Sequence, residues 1–338
     1  MHIALDAMGG DYAPGPIVAG AVQAVSLDSD LRVTLVGDEA QVNPLLEKFG
    51  NSDRIQVFHC SQAIGMEESP TVGLRKKPDN SISRCWQLLA QSRVDGIVSA
   101  GNTGAMVAGG LMSRRFLRGV ERPGIATIMP TLRGPCVMLD VGANIYPKAT
   151  HLYQYGVMGL IYARQILKKE NPTIGLMNVG SEDGKGPELP RQTASLFENS
   201  PIKGSYKGNI EGRDIHRGAV DVVICDGFTG NVILKVCEGM TEFMMKLVGR
   251  EISETLTVER DKGITALTNL AQKYHYSEFG GAPLLGIDGI SIICHGSSDD
   301  RAIRNALGVA ARHARAGLNQ LITSELESQQ QLALVVSN

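Results

Sequence analysis

Glycine-rich stretches that also carry carboxylate, amide, hydroxyl or ammonium side chains recur along this chain. Glycine lets the backbone approach a ligand closely, and successive N–H groups at such a turn can bind an anion. The stretch Ser-Ala-Gly-Asn-Thr-Gly-Ala at residues 99–105 opens a helical pattern, whose dipole would contribute about 0.3–1 kcal/mol. We therefore predict an anion site formed by Gly101, Asn102, Thr103 and Gly104.

A glycine pair follows the first apolar run, in the stretch Asp-Ala-Met-Gly-Gly-Asp at residues 6–11. We predict that Gly9, Gly10 and Asp11 contribute to binding, because the backbone can approach a ligand there. Asp6 is a candidate catalytic residue, because the carboxylates of Asp6 and Asp11 can orient a neighbouring lysine or amide. The alternative is structural: Asp11 caps the following helix, and Asp6 accepts hydrogen bonds from loop N–H groups.

A third stretch, Asn-Val-Gly-Ser-Glu-Asp-Gly-Lys-Gly at residues 178–186, places Lys185 between two glycines. Most loop lysines are only solvated, but this position lets a cation reach a phosphate or a developing oxyanion. Lys185 is therefore a candidate catalytic residue, and Asn178 and Glu182 are candidate binding residues of the same loop.

Two similar stretches follow other apolar runs, Asp-Val-Gly-Ala-Asn at residues 140–144 and Asp-Gly-Phe-Thr-Gly-Asn at residues 226–231. Asn144 and Asn231 are candidate catalytic residues of these two stretches. Asp226 is a candidate binding residue at the start of its stretch.

His295 is the one histidine of seven that ends an apolar run beside a glycine and hydroxyls, so it is the best candidate for proton transfer. A structural role is the alternative. No Gly-x-Ser-x-Gly, His-Glu-x-x-His, P-loop or dinucleotide-binding glycine pattern occurs in the sequence. The six cysteines lie far apart without a Cys-x-x-Cys pair, so we predict buried, reduced thiols and no metal site.

The elements that would position these residues alternate along the chain. Apolar or β-branched runs indicate strands at residues 3–7, 32–37, 55–60, 96–100, 125–129, 136–141, 173–179, 220–226 and 291–295. Helical patterns lie at residues 17–25, 81–92, 105–116, 149–168 and 189–197. This alternation predicts a single α/β unit over residues 1–338, with three α/β/α layers, a mostly parallel sheet and ligands at the carboxyl ends of strands.

The interval from residue 232 to residue 274 departs from this alternation and predicts a helical hairpin. Apolar residues recur at helical spacing from Ile233 to Leu247 and again from Ile264 to Tyr274. Three roles for these stripes stay open: packing on the protein's own core, a dimer interface, or a peripheral membrane contact. We expect a frayed tail over residues 325–338.

The 338 residues include 39 glycines, against about 24 at an average usage of about 7%, and carry a formal net charge of −2. The excess glycine belongs to the loops described above. The interspersed charge predicts no nucleic-acid partner. The amino-terminal segment lacks the basic region of a signal peptide, and a polar turn breaks the uncharged stretch at residues 96–113, so we expect a cytoplasmic protein without a transmembrane helix.

Seven motifs together resemble, in order and spacing, those of the bacterial phosphate acyltransferases of phospholipid synthesis. They occupy residues 6–11, 99–105, 140–144, 178–186, 226–231, 280–282 and 295–296. The resemblance implies that inorganic phosphate attacks the thioester of a fatty acyl-acyl carrier protein and gives an acyl phosphate, which a membrane-bound glycerol-3-phosphate acyltransferase then uses. It also implies a homodimer, no metal or nucleotide cofactor, and a fold similar to phosphotransacetylase and the isocitrate and isopropylmalate dehydrogenases.

On this resemblance we assign roles as hypotheses. The turn from Gly101 to Gly104 and Lys185 hold phosphate; Asn144, Asn178 or Asn231 donates to the thioester oxygen; and His295 or Asp6 tunes protons. Phosphate is already a nucleophile and a thiolate leaves readily, so the reaction needs no serine or cysteine nucleophile.

Other partners and activities stay open at this point. Arg114, Arg115 and Arg118 form a basic patch that can receive an acidic carrier protein, although charged helix ends are usually just solvated. The hairpin also allows peripheral contact with the inner face of the membrane. The alternatives to a fatty acyl transferase are a phosphotransacetylase acting on a short acyl coenzyme A, a dehydrogenase of the isopropylmalate type, and a membrane-docking scaffold without activity.

Overall fold

The computed structural model describes residues 1–273 and 280–336. Its strands are β1 (His2–Asp6), β2 (Arg32–Gly37), β3 (Ile55–His59), β4 (Gly96–Ser99), β5 (Gly124–Met129), β6 (Cys136–Leu139), β7 (Ile174–Met177), β8 (Tyr206–Ile210), β9 (Val222–Ile224), β10 (Ala282–Leu285) and β11 (Ile290–Ile293). Its helices are α1 (Gly15–Leu27), α2 (Glu39–Phe49), α3 (Pro70–Lys76), α4 (Ser81–Ala90), α5 (Thr103–Ser113), α6 (Ala149–Gln165), α7 (Glu188–Glu198), α8 (Gly212–Arg217), α9 (Gly227–Thr255), α10 (Arg260–Lys273), α11 (Asp300–Arg315) and α12 (Leu318–Val336).

These strands form one mixed sheet in the order β3-β2-β1-β4-β11-β10-β5-β6-β9-β7-β8. Seven of the ten neighbouring pairs are parallel. The antiparallel pairs are β11–β10, β10–β5 and β5–β6. The predicted α/β fold with a mostly parallel sheet is therefore confirmed.

The three antiparallel pairings reverse the strand direction across the sheet. β1, β4 and β11 run parallel to one another on one side of these pairings, and β6, β9 and β7 run the opposite way on the other side. The loops that follow one group of strands therefore lie at the opposite end of the sheet, along the strand direction, from the loops that follow the other group. The predicted mostly parallel sheet gave no indication of this separation.

Both faces of the sheet are buried, which explains why its strands are continuous apolar runs. Along β1, Ile3 and Leu5 pack on one face and Ala4 on the other, as expected for a period of two. α1, α2 and α11 cover one half of the first face, and α6, α7 and α12 cover the other half. α3, α4, α5, α8 and the start of α9 cover the second face. The result is the predicted three-layer arrangement.

The hairpin and the tail differ in detail from the expectations. α9 begins at Gly227, and α10 packs against it, while Tyr274 lies outside the described residues. Where we expected a frayed tail from residue 325, α12 continues to Val336. The physical reason is burial: Leu326 is 4% exposed and packs in the core beside α6, where the Tyr153 hydroxyl also donates to Gln329. Residues 337 and 338 lie outside the described residues.

Candidate active site

The first loop cluster comprises residues 6–11, 99–104 and 294–298, which follow the parallel strands β1, β4 and β11. The backbone N–H of Asp11 donates to the carbonyl of Gly296 at 2.7 Å. A Cβ atom at Gly9 would lie 2.6 Å from the backbone nitrogen of Gly101, so these two loops touch through their backbones. The structure thus brings together the candidates Asp6, Gly9, Gly10, Asp11, Gly101, Asn102, Thr103, Gly104 and His295.

Asp6 lies completely buried beneath this cluster. Its carboxylate accepts hydrogen bonds from the Ser99 hydroxyl at 2.7 Å and from the Met8 N–H at 3.2 Å. The Ser99 hydroxyl oxygen in turn accepts from the Gly101 N–H at 3.0 Å. Burial raises the pKa of the Asp6 carboxyl group. These hydrogen bonds connect Asp6 to the loops that follow β1 and β4.

Asn102 caps α5 rather than presenting its side chain outward. Its side-chain oxygen accepts from the Ala105 N–H at 3.0 Å, and its side-chain nitrogen donates to the carbonyls of Gly65, Met66 and Glu68. Within the turn Thr103 is the exposed residue, and Gly101 is buried. Any anion bound here would therefore meet backbone N–H groups at the start of α5 and the Thr103 hydroxyl.

His295 and Asp11 are both exposed at the rim of the first loop cluster. His295 Nδ1 accepts from the Ser297 N–H at 3.3 Å and lies 2.8 Å from the Ser297 hydroxyl oxygen. In the neutral ring the proton then lies on Nε2. The cap position of α1 is Pro14, so Asp11 does not cap that helix.

The second loop cluster comprises residues 140–144, 178–186 and 226–231, which follow β6, β7 and β9. β9 lies between β6 and β7 and is parallel to both. The Gly227 N–H donates to the Asn144 carbonyl at 2.8 Å, and the Asn231 amide donates to the Val141 carbonyl at 3.1 Å. The structure thus brings a set of candidates to the carboxyl ends of three neighbouring strands: Asn144, Asn178, Glu182, Lys185, Asp226 and Asn231.

Asp140 organises this cluster, although it was not among the predicted site residues. Its carboxylate is fully buried and accepts hydrogen bonds from the N–H groups of Ile125, Gly142, Ala143 and Asn144 at 2.7–3.1 Å. Burial raises the pKa of the Asp140 carboxyl group. The signal in the sequence was the motif itself, in which a carboxylate at a strand end precedes a glycine turn.

Three of the candidates in this cluster use their side chains to hold loops. The Asn144 amide donates to the Pro123 carbonyl at 2.6 Å and to the Tyr155 hydroxyl at 2.8 Å. The Asn178 amide donates to the Lys185 carbonyl at 3.0 Å, which closes its loop. Asp226 caps α9 by accepting from the Thr229 N–H at 2.8 Å.

Lys185 and Asn231 are the candidate catalytic residues of this cluster that are exposed. Lys185 lies between Gly184 and Gly186, whose φ angles of +83° and +79° require glycine, and its ammonium forms no ion pair with a described residue. Glu182, of the same loop, is also exposed. Large apolar side chains within or next to the cluster are exposed to solvent, with exposed fractions of 55% for Ile145, 95% for Tyr146, 76% for Val179, 61% for Phe228 and 45% for Val232.

The two clusters remain separate in the fold, because they follow strands of opposite direction. The Gly101–Gly104 turn and Lys185, which we expected to hold one phosphate together, accordingly belong to different clusters. Within the described residues, no group of three or more His, Cys, Asp or Glu side chains is placed to hold a metal ion.

The fold has counterparts among solved structures. The chain is similar to a phosphotransacetylase from Staphylococcus aureus, with a TM-score of 0.62 and 13% identity over 93% of this chain and 94% of that one. It is equally similar to a phosphotransacetylase from Streptococcus pyogenes, with a TM-score of 0.61 and 16% identity over 94% of both chains. The chain therefore has the phosphotransacetylase type of α/β fold, as predicted.

The chain belongs to the family described as fatty acid synthesis protein, whose sequence profile matches residues 1–321. It is 44% identical to the phosphate acyltransferase of Geotalea daltonii over 330 residues, which cover 97% of this chain and 94% of that relative. It is 42% identical to the phosphate acyltransferase of Geobacter sulfurreducens over 332 residues, covering 97% and 95%. The predicted family and the prediction of an acyltransferase enzyme are confirmed.

Proposed function

We propose that this chain transfers a fatty acyl group from an acyl carrier protein to inorganic phosphate, and that the second loop cluster is its active site. The observation that carries the proposal is the placement of Lys185 and Asn231. Both are exposed, both follow neighbouring parallel strands, and apolar side chains suited to an acyl chain border them. The family and the names of the relatives support the same activity.

In the proposed reaction a phosphate oxygen attacks the thioester carbonyl carbon. A carbon–oxygen bond forms, the carbon–sulfur bond breaks, and the thiolate of the carrier protein leaves. Lys185 neutralises the phosphate, and the Asn231 amide donates to the oxyanion that develops on the former carbonyl oxygen. Asn178 acts by closing the loop that carries Lys185, and Asn144 acts by holding the loop whose Val141 carbonyl accepts from the Asn231 amide.

The first loop cluster stays a candidate for anion binding through the N–H groups at the start of α5. Proton transfer by His295 or Asp6 is a further part of the proposal, and it rests on their position in the sequence motifs. The complete burial of Asp6 favours a supporting role over direct contact with substrate.

The test is to incubate the protein with palmitoyl-acyl carrier protein and phosphate, without metal or NAD, and to measure free thiol. Lys185→Ala should lower kcat by about 10²–10³, equivalent to about 2.7–4 kcal/mol, the size typical of losing one group that stabilises charge in the transition state. Lys207→Ala is the matched control, because Lys207 is an exposed lysine of the adjacent strand β8. Unchanged turnover in Lys185→Ala would refute the assignment.

A short-chain phosphotransacetylase is the second candidate function, favoured by the similarity of the fold to two such enzymes. The same assay with acetyl coenzyme A separates the two. Thiol release only from acetyl coenzyme A would overturn the fatty acyl substrate. Release from neither substrate would favour a scaffold without activity.

We also propose that α9 binds a second copy of the chain. Ile233, at the start of its apolar stripe, packs on the protein's own core, but the rest of the stripe is open to solvent: Val236, Met240, Phe243, Met244 and Leu247 are 43–60% exposed. Ion pairs such as Lys246–Glu242 and Arg250–Glu254 occupy other positions along the helix. A stripe of this kind suits a partner helix bearing the same stripe.

Phe243→Glu should convert a dimer to a monomer in sedimentation, whereas Lys246→Glu should leave the dimer intact. A Phe243→Glu variant that stays dimeric but no longer binds anionic vesicles would show that the stripe contacts a membrane instead. Among the described residues no helix combines the length and apolar character needed to cross a membrane.

For the carrier protein we propose docking near Arg114, Arg115 and Arg118. Arg115 donates to the carbonyls of Leu89 and Ala90 and pairs with Asp288, and Arg118 pairs with Glu327 at 3.0 Å, so the patch is partly neutralised. Arg114→Glu with an unaltered KM for the carrier protein would remove this surface. The acyl phosphate would pass to a membrane-bound glycerol-3-phosphate acyltransferase, which places the proposed site of action in the cytoplasm at the inner face of the membrane.

A further inference from the structure

A cysteine and a histidine form a close pair between α8 and α9, apart from the loops of the second cluster. His216 Nε2 lies 3.2 Å from Sγ of Cys237. On the other side of the ring, His216 Nδ1 lies 3.0 Å from the carbonyl oxygen of Pro130. Because a carbonyl oxygen can only accept, Nδ1 carries a proton, and Nε2 of the neutral ring is the acceptor that faces the thiol.

The backbone around His216 is fixed from both sides. The His216 carbonyl accepts from the Leu132 N–H at 2.9 Å. Gly218 ends α8 with a φ of +69°, and a Cβ atom there would lie 2.6 Å from the Thr131 hydroxyl oxygen. The end of α8 is therefore pinned against the loop that follows β5. A nucleophile, a base and a third group that orients the base are thus all in place.

Cys237 is also the cysteine that reagents can reach. The other five cysteines are buried, whereas Cys237 is partly exposed at the edge of the core that includes Ile233 and Leu234. Its partner His216 is exposed. The prediction of buried thiols is therefore confirmed for five cysteines and wrong for Cys237, because this residue lies where α9 leaves the core.

We propose that Cys237, activated by His216, is a modification site for small soft electrophiles. The thiol proton moves from Sγ to Nε2, and the resulting imidazolium donates to both the thiolate and the Pro130 carbonyl. The thiolate then attacks the electrophilic carbon, a sulfur–carbon bond forms, and the leaving group departs with the bonding electrons. The imidazolium finally releases its proton to water.

Burial and the neighbouring charges shift the pKa of the Cys237 thiol, and they do not all act in the same direction. Burial raises the pKa of Cys237, and the carboxylate of Glu238 raises it further. Glu238 is itself paired with the Lys235 ammonium at 2.8 Å, which offsets its charge. An imidazolium in contact with the sulfur favours the thiolate, as in other low-pKa cysteines. Reactivity therefore depends on His216, and this dependence can be measured.

The experiment labels the full-length protein with iodoacetamide near neutral pH and follows each cysteine by peptide mass spectrometry. An unperturbed thiol is only a few per cent thiolate near pH 7. We expect native Cys237 to react about tenfold faster than the same residue in concentrated urea, while the five buried cysteines stay unlabelled in the native protein. His216→Gln keeps a polar group in place but no base, and should lower the native rate about tenfold.

The matched control is Arg217→Gln, which changes the next residue of α8, an exposed side chain paired with Asp214. It should leave the Cys237 rate unchanged. Dividing each native rate by the rate in urea removes any effect of the variants on the unfolded chain. A Cys237 rate equal to that in urea, or one that His216→Gln does not lower, would overturn the proposal. The labelling rate does not depend on acyl transfer, so it tests this site separately from the proposed function.

Discussion

Replacing Asp140 by Asn tests the idea that one buried carboxylate positions the second loop cluster. One carboxylate oxygen accepts from the N–H groups of Ile125, Gly142 and Ala143 at 3.0–3.1 Å. The other accepts from the Asn144 N–H at 2.7 Å. An asparagine can keep the first set with its amide oxygen, but its NH₂ group then faces the Asn144 N–H, so two donors oppose each other.

The magnitude follows from this geometry. A hydrogen bond to a charged group contributes about 1.5–3 kcal/mol, and a buried N–H without an acceptor costs a similar amount. We therefore expect Asp140→Asn to lower the free energy of unfolding by about 2–3 kcal/mol. Because the Asn231 amide donates to Val141 in the same loop, kcat should also fall about tenfold to a hundredfold.

Urea unfolding and steady-state kinetics of the purified variant measure the two effects. The matched control is Asp221→Asn, near the amino-terminal end of β9, where the carboxylate accepts from the N–H and the hydroxyl of Thr173 at 3.0 Å. It should lose stability but keep kcat, because it lies at the other end of the strand. Full activity in Asp140→Asn, or an unfolding free energy within about 0.5 kcal/mol of the original, would refute the reasoning.

Two further substitutions test the packing and the acid response of the fold. Gly9→Ala should destabilise the protein in urea unfolding, because its Cβ would lie 2.6 Å from the Gly101 nitrogen, whereas Gly15→Ala has no atom within 4 Å and should be tolerated. Burial lowers the pKa of His313 from 6.5 to about 4. Between these two pH values the unfolded state binds more protons than the folded state, so the free energy of unfolding should fall as the pH drops. The expected loss of unfolding free energy is about 3 kcal/mol. A His313→Gln variant that loses the same free energy from pH 6.5 to pH 4 would contradict the assignment of this loss to His313.

Much of the fold could be predicted from the sequence, because most strands are buried on both faces and therefore appear as apolar runs. The two strands that were missed lack this signal. β8 pairs only with β7 at the edge of the sheet, and its sequence Tyr-Lys-Gly-Asn-Ile is largely polar. β10 is four residues long, follows a glycine pair and contains Pro283, which cannot donate to a neighbouring strand.

The candidate site could be predicted only as a set of loops. Residue types mark Lys185 as a cation between glycines and Asn231 as an amide near the start of a helix. They cannot tell which amides have a partner. Asn144 has the same chemistry as Asn231, but the Pro123 carbonyl and the Tyr155 hydroxyl already accept from its amide. Asn178 and Asn231 each donate to one carbonyl, and Asn231 differs from Asn178 in being exposed.

The sequence by itself determined most of the strands, the glycine-rich loops and the family motifs, because these depend on local conformation and on short-range apolar patterns. Only the tertiary structure decided how those loops are shared between two clusters. That division follows from β10, β5 and β6, whose antiparallel pairings reverse the strand direction. The β5–β6 and β10–β11 pairings join successive strands, but the β10–β5 pairing joins residues far apart in the chain, and a local pattern carries no record of it. The same holds for the stripe on α9 and for Cys237, since exposure is decided by what the rest of the chain covers.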